Sequence, residues 1–124
     1  MPKKQKPKEK LNWIPVVGIE SGMSIYSGQA ALVMNNSFLK TSYVNGGIVR
    51  IKPGGIAKSL IVNNGTLVVE AGATAEYVTM KKGTHLIVFT GGVVRDLIMW
   101  GEIGAQLYPG AVIEMMPSKA KNEA

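Results

Sequence analysis

The sequence has no cysteine, one histidine and only two phenylalanines and two tryptophans among 124 residues. Without thiols, disulfides, thiolate metal ligands and cysteine nucleophiles are excluded together. A single histidine removes most of the remaining metal chemistry, because metals of the zinc kind are held by sets of nitrogen and sulfur ligands. No apolar run approaches the roughly 20 residues that a membrane-spanning helix needs. No secretory leader is read either. The apolar stretch over residues 11–19 is interrupted by Asn12, Pro15 and Gly18 and stops at Glu20, whereas a leader needs about 7–15 apolar residues and a small-residue cleavage site. The expected setting is the cytoplasm, that of a host cell if the chain is phage-encoded. One domain is expected at this length.

Acidic residues are scarce at the start of the chain. The formal charge is +6, and the first ten residues carry five lysines (Lys3, Lys4, Lys6, Lys8, Lys10) against Glu9, a net +4. Most of the basicity is therefore a tail. Residues 1–10 are expected to be disordered. Their primary reading is a solubilising tail, and they also offer a contact to nucleic acid or an acidic protein surface.

What the chain has in abundance is glycine, 15 residues, and the glycines are periodic. Gly54, Gly72, Gly91 and Gly110 fall 18, 19 and 19 residues apart, and Gly47, Gly65, Gly83 and Gly101 recur every 18. Two glycine columns with one period imply two turns per repeat. Between them the residues alternate, a strand signal. Val49, Leu67, Leu86 and Ala105 form one apolar column, and Ile51, Val69, Val88 and Leu107 form another. After the second turn come Ala57, Ala75, Val94 and Ile113, then Leu60, Val78, Leu97 and Met116, then Val62, Met80 and Met99. All of these are expected to point inward.

A unit of 18 or 19 residues cannot bury its own apolar face, but stacked copies bury a continuous one. The expected fold is all-β: a short, single-domain parallel β-solenoid of about four or five coils, each adding roughly 4.8 Å. Outward residues test the same register. Lys58, Glu76, Arg95 and Glu114 lie one repeat apart and alternate in sign, so stacking should make them a ladder of opposite charges.

Residues 11–21 are read as an N-terminal cap with Trp13 lying over the first coil, because an open solenoid end must be covered. The solenoid proper is expected over 22–116. Its first coil reads as irregular, with Asn35, Asn36, Ser37, Phe38 and Leu39 bulging as a loop. A polar tail over 117–124, introduced by Pro117, ends the strands and blunts the open edge.

The unit Val62, Asn63, Asn64, Gly65, Thr66, Leu67, Val68, Val69, Glu70, Ala71, Gly72, Ala73, Thr74, Ala75 resembles the AIDA-type repeat, a β-solenoid repeat of bacterial autotransporter adhesin stalks. The resemblance covers residues 44–116 and rests on asparagine-glycine corners, glycine pairs and aliphatic alternation. It implies a rigid, secreted stalk with a hydroxyl-rich surface, attached to an outer-membrane barrel. Here surface hydroxyls are few, no leader or barrel is read, and the chain starts with lysines, so what the resemblance implies is the fold. Tyr108, Pro109, Gly110, Ala111, Val112 and Ile113 are similar to one hexapeptide of the left-handed β-helix acyltransferases, although six-residue periodicity fails elsewhere, for instance at Asn63.

Catalysis finds no footing. His85 has no second histidine or cysteine to complete a metal site. The glycine pairs lack the Gly-Lys-Ser/Thr of a phosphate loop. The periodic carboxylates are accounted for by the charge ladder. No enzyme, cofactor, small-molecule substrate or membrane contact is expected.

On the strand bearing the first two inward columns, the outward residues run Arg50 and Lys52, Val68 and Glu70, Ile87 and Phe89, Gln106 and Tyr108. The face passes from basic to apolar and aromatic. Val68, Ile87, Phe89 and Tyr108 are expected to form an exposed patch, with Lys81, Lys82 and Trp100 at a nearby corner as further contacts. Such a patch points to a partner, another protein or a second copy. The functional expectation is a non-enzymatic cytoplasmic binding module, as small inhibitors from phages and mobile elements are. The alternatives are a structural solenoid (a stalk fragment or a filament stacked end to end) and a nucleic-acid-associated protein using its lysine tail.

Overall fold

The computed structural model describes residues 12–115. Among the described residues thirteen strands follow one another, beginning with β1 (Asn12–Val16), β2 (Ile19–Ser21), β3 (Ser24–Tyr26), β4 (Gln29–Val33) and β5 (Phe38–Asn45). β6 (Ile48–Ile51), β7 (Ile56–Asn63), β8 (Thr66–Val69) and β9 (Thr74–Lys81) continue the chain. β10 (His85–Val88), β11 (Val93–Trp100), β12 (Gly104–Leu107) and β13 (Val112–Met115) complete it. One sheet has the order β1-β4-β6-β8-β10-β12, and the other runs β13-β11-β9-β7-β5-β2 with β3 also paired to β5. Every strand-to-strand register is parallel. This is a parallel β-solenoid of about six turns, roughly 24 Å from first rung to last at 4.8 Å per step.

The inward columns are those expected from the period. Val49 pairs with Leu67, Leu67 with Leu86 and Leu86 with Ala105, while Ile51, Val69, Val88 and Leu107 form the next column. Leu60, Leu67, Val69, Val78 and Met80 are fully buried. The glycine turns stack as directly. The Gly72 amide donates to Gly91 O at 3.0 Å, and the Gly91 amide donates to Gly110 O at 3.3 Å.

Each coil has a third bend that no glycine column announces. Gly22, Thr41, Ser59, Tyr77 and Asp96 occupy equivalent places within the chain, and all have positive φ, 46° to 63° for the four that are not glycine. Strand pairing skips this position, passing from Lys40↔Lys58 to Ser42↔Leu60. The bend explains why inward residues there are three apart, Ala57 then Leu60, instead of two. Each long strand thus divides between two faces. We refer to the β6-type strand as face A, the half before the bend as face B and the half after it as face C.

Several expectations are corrected by this register. The coil count rises to about six because residues 12–21, read as a cap, form a rung of their own: Asn12 pairs with Gln29 and Ile19 with Phe38. Trp13 does not lie over the end of the rod. It stands beside Ala30 on the outer side of face A, half exposed. Asn35, Asn36, Ser37, Phe38 and Leu39 do not bulge; Phe38 and Leu39 pair with Ile56 and Ala57, so this coil is regular. The Leu97 column ends in Met115, because the register shifts between Val94 and Leu97. Met116, with residues 1–11 and 117–124, lies outside the described residues.

The second glycine column also divides in two. Gly47 and Gly65 are buried corner residues, and the next coil places Thr84 there, with His85 paired to Thr66. Gly83 and Gly101 are instead left-handed corner residues with φ of 84° and 104°. One extra residue in the Lys81 to Thr84 corner displaces the count. Thr84 fills the buried place, its hydroxyl donating to Lys81 O at 2.7 Å.

Buried hydroxyls fasten the first coil. Ser42 sits in the otherwise apolar column of Leu60 and Val78, accepts from the Met23 amide at 3.1 Å and donates to Lys40 O at 2.9 Å. Ser37 accepts from the Gly18 amide at 3.0 Å. Among the described residues no buried side-chain polar atom lacks a partner, so these hydroxyls carry no desolvation penalty.

Candidate functional site

Face A presents its outward residues in two parallel columns. Leu32, Arg50, Val68, Ile87 and Gln106 form the first. Lys52, Glu70, Phe89 and Tyr108 continue the chain just past the strands and form the second. At the N-terminal half Arg50 and Lys52 both pair with the Glu70 carboxylate, Lys52 at 3.3 Å. Desolvation by itself would raise the Glu70 carboxyl, but hydrogen bonds from Arg50 and Lys52, with their charges, outweigh it and hold the group below its ordinary value of 4.5. A carboxyl with a depressed folded pKa stabilises the fold above its unfolded pKa, and that contribution is lost as pH falls through the folded value. We expect the stability difference between wild type and Glu70→Gln to shrink as pH drops below about 4.5, in melts run from neutral pH to about pH 3. A difference independent of pH would show that the ion pairs contribute nothing.

Toward the C-terminal half the face becomes aromatic. Phe89 and Tyr108 stack with ring centroids 4.9 Å apart. Ile87 is half-buried beside them, and Tyr108 is 37% exposed. Val68 corrects the expected patch: it occupies the outward column but is only 5% exposed, lying between Arg50 and Ile87. It supports the patch from beneath. Gly104 follows His85 in the neighbouring outward column, beside a shallow notch lined by Thr66, His85, Ile87 and Gln106.

Trp100, Lys81 and Lys82 sit at the far corner of the same coils. Trp100 is 61% exposed, and the Lys81 ammonium lies 4.9 Å from its ring centroid. This cation–π contact covers one side of the indole. Lys82 stands beside Gly101 and is exposed. The structure thus brings Ile87, Phe89 and Tyr108 together on one face and keeps the Trp100 corner separate. Lys3, Lys4, Lys6, Lys8 and Lys10 lie outside the described residues.

The charge ladder runs along face B as the period requires. Lys58 lies 3.9 Å from Glu76, Arg95 lies 3.6 Å from Glu76, and Arg95 lies 3.7 Å from Glu114. These pairs are partly exposed, so each contributes at most about 1 kcal/mol. His85 is exposed, and among the described residues no group of three or more His, Cys, Asp or Glu gathers to hold a metal.

Face C carries a column that sequence reasoning missed. Tyr43, Ile61, Thr79 and Ile98 stack on its outer side and line a shallow cleft with Tyr77. The signal was present at the same 18- and 19-residue spacing. It becomes readable only when the bend at Ser59 resets which residues point out.

No protein-family model matches the chain, and no curated protein matches it. Among solved structures, the fold is similar to the TibC-catalysed hyper-glycosylated TibA fragment 55–350, with a TM-score of 0.65 at 22% identity. The likeness covers 82% of this chain and 37% of that one. At this identity it is a likeness of fold. It supports an AIDA-like β-solenoid, while the six residues from Tyr108 to Ile113 amount to one glycine corner and the start of β13 within that fold.

Proposed function

We propose that this chain is a non-enzymatic structural solenoid whose work is association with another protein through the aromatic part of face A. The observation that carries the reading is the Phe89 and Tyr108 stack with Ile87 beside it, a rigid apolar surface on a regular scaffold. Two stacked aromatics held just past the ends of β10 and β12 lose little side-chain entropy on docking, and aromatic anchors contribute most to interfaces. The neighbouring Arg50, Lys52 and Glu70 cluster supplies a polar rim. A cytoplasmic inhibitor of a larger complex, of phage or mobile-element origin, belongs to the same reading and draws its support from the clustered basic charge of residues 3–10. The lysines of residues 3–10 would add electrostatic attraction to an acidic partner or to nucleic acid.

The test is the double substitution Ile87→Asp with Phe89→Asp. The melting temperature is expected to change little, since both side chains are outward, and capture of the partner from native host extract is expected to be lost. Unchanged capture by a folded double variant would overturn the reading.

A further inference from the structure

Face C differs from the other two faces in what it offers a ligand. Over β5, β7 and β9 its outward columns hold Tyr43, Ile61 and Thr79, then Asn45 and Asn63, with Thr41, Ser59 and Tyr77 at the bend. None of these side chains is charged, whereas face A carries Arg50, Lys52 and Glu70 and face B carries Lys58, Glu76 and Arg95. Three of the chain's four tyrosines stand on this side. Tyr26, paired with Asn45, is 55% exposed, Tyr43 46% and Tyr77 44%.

Tyr43 and Tyr77 border a cleft of about 260 Å³, to which the coil between them contributes the short Ser59 and Ile61. The two tyrosines lie two rungs apart, roughly 10 Å along the rod at 4.8 Å per rung. The Lys58 ammonium reaches over from face B to 5.5 Å from the Tyr77 ring centroid and steadies that ring. Polar groups flank the aromatics. Asn63 Nδ2 donates to Asn45 Oδ1 at 3.3 Å. That bond leaves the Asn45 amino group and the Asn63 side-chain carbonyl without a partner among the described residues, a donor and an acceptor on adjacent rungs. The Thr41 and Ser59 side chains are exposed beside them.

These features discriminate between ligand classes. A phosphate-bearing polymer finds no cation lining the cleft to neutralise it. A peptide cannot add here as a strand, because β5, β7 and β9 are each paired on both sides and present no free backbone edge. What fits is a ligand with apolar ring faces and hydroxyl edges. A pyranose stacks its C–H face on an aromatic ring and exchanges hydrogen bonds with amides and hydroxyls along its edge. An extended glycan also advances by about one rung per sugar, so a single chain along the rod can meet Tyr43 with one ring and Tyr77 with the next but one.

We propose that face C binds a neutral, linear oligosaccharide lying along the rod, stacked on Tyr43 and Tyr77 and hydrogen-bonded by Asn45, Asn63 and the Thr41 and Ser59 hydroxyls. This site is separate from the aromatic part of face A.

Amide NMR of the full chain, titrated with linear neutral hexasaccharides of glucose, mannose and N-acetylglucosamine, tests it. At least one of the three is expected to shift resonances of residues 41–45, 59–63 and 77–79, equally at low and high salt. Tyr43→Ala and, independently, Tyr77→Asn should weaken that binding at least about tenfold. Asparagine tolerates the left-handed φ of 53° at residue 77, so the bend is kept, and circular dichroism checks the fold. Ile87→Asp with Phe89→Asp should leave the glycan affinity unchanged. No shift with any of the three sugars overturns the proposal, as do shifts confined to faces A and B or affinity retained in both folded tyrosine variants. Binding only to a sulfated oligosaccharide, lost at high salt, overturns it as well, because the attraction would then be electrostatic.

Discussion

Leu67→Ala should cost this protein about 2–5 kcal/mol, while Leu107→Ala should cost less than about 1 kcal/mol. Both residues are leucines in inward columns of face A strands. Leu67 is fully buried with Val49 on one side and Leu86 on the other, whereas Leu107 has, among the described residues, Val88 on one side only. Truncation at Leu67 leaves a cavity enclosed by two flanking coils that are themselves held in register, so collapse is restricted. At Leu107 the removed atoms were already half in water. Each coil contacts only its neighbours, so a weakened interface in the middle also uncouples the two halves. Urea unfolding, comparing midpoints at constant slope, measures the difference. Equal losses at the two sites would mean that the last coil is covered in solution.

The two kinds of corner glycine should separate in a second experiment. A Cβ on Gly65 would come within 2.6 Å of both Gly47 O and Val44 Cγ1. The first contact is backbone and cannot swing aside, so Gly65→Ala and Gly65→Asn should each cost about 1–3 kcal/mol or prevent folding. Gly83 has nothing within 4 Å of its would-be Cβ but a φ of +84°. There Gly83→Ala should cost about 1–2 kcal/mol, and Gly83→Asn distinctly less, because asparagine tolerates the left-handed region. Asn64 already holds the corresponding bend of the preceding coil with a φ of 51°. Thermal melts of the four variants are sufficient. If asparagine were tolerated equally at both sites, steric crowding at Gly65 would not be the reason for its glycine.

How these corners appear in the sequence shows what could be read there. The Gly54, Gly72, Gly91 and Gly110 column was legible because one residue type answers one backbone need at constant spacing. The third corner was not. Thr41, Ser59, Tyr77 and Asp96 share a conformation but no chemistry, since the strands on both sides impose the bend and the side chains merely accept it. A local strain of this kind, on the order of 1–2 kcal/mol each, is held by the pairing of whole coils. Val68 was misplaced for a related reason: alternation correctly gave its direction, outward, but direction and exposure are different quantities. Long neighbours on the same face, Arg50 above all, decide whether an outward valine meets water.

The first coil shows the same division. Read by its glycines, the stretch from Asn35 to Leu39 is irregular, because the distance from Gly28 to Gly54 is 26 residues instead of 18 or 19. In the structure Asn36 takes the corner that Gly54 takes one coil later, its amide donating to Gly54 O at 3.0 Å. Asparagine and glycine are interchangeable to the backbone there, though not to a search for glycine. Residues 12–21 escaped the repeat altogether, because Pro15 and Glu20 stand where interior coils have Leu32 and Leu39.

By itself the sequence determined the period, the inward columns and the alternating charges on face B, because each is a property of residues a fixed distance apart along the chain. The tertiary structure alone decided which outward side chains are uncovered, where the third bend falls and that residues 12–21 form a rung of their own. Those depend on what lies in the next coil and on how the strands either side of a bend are paired, which spacing along the chain does not carry.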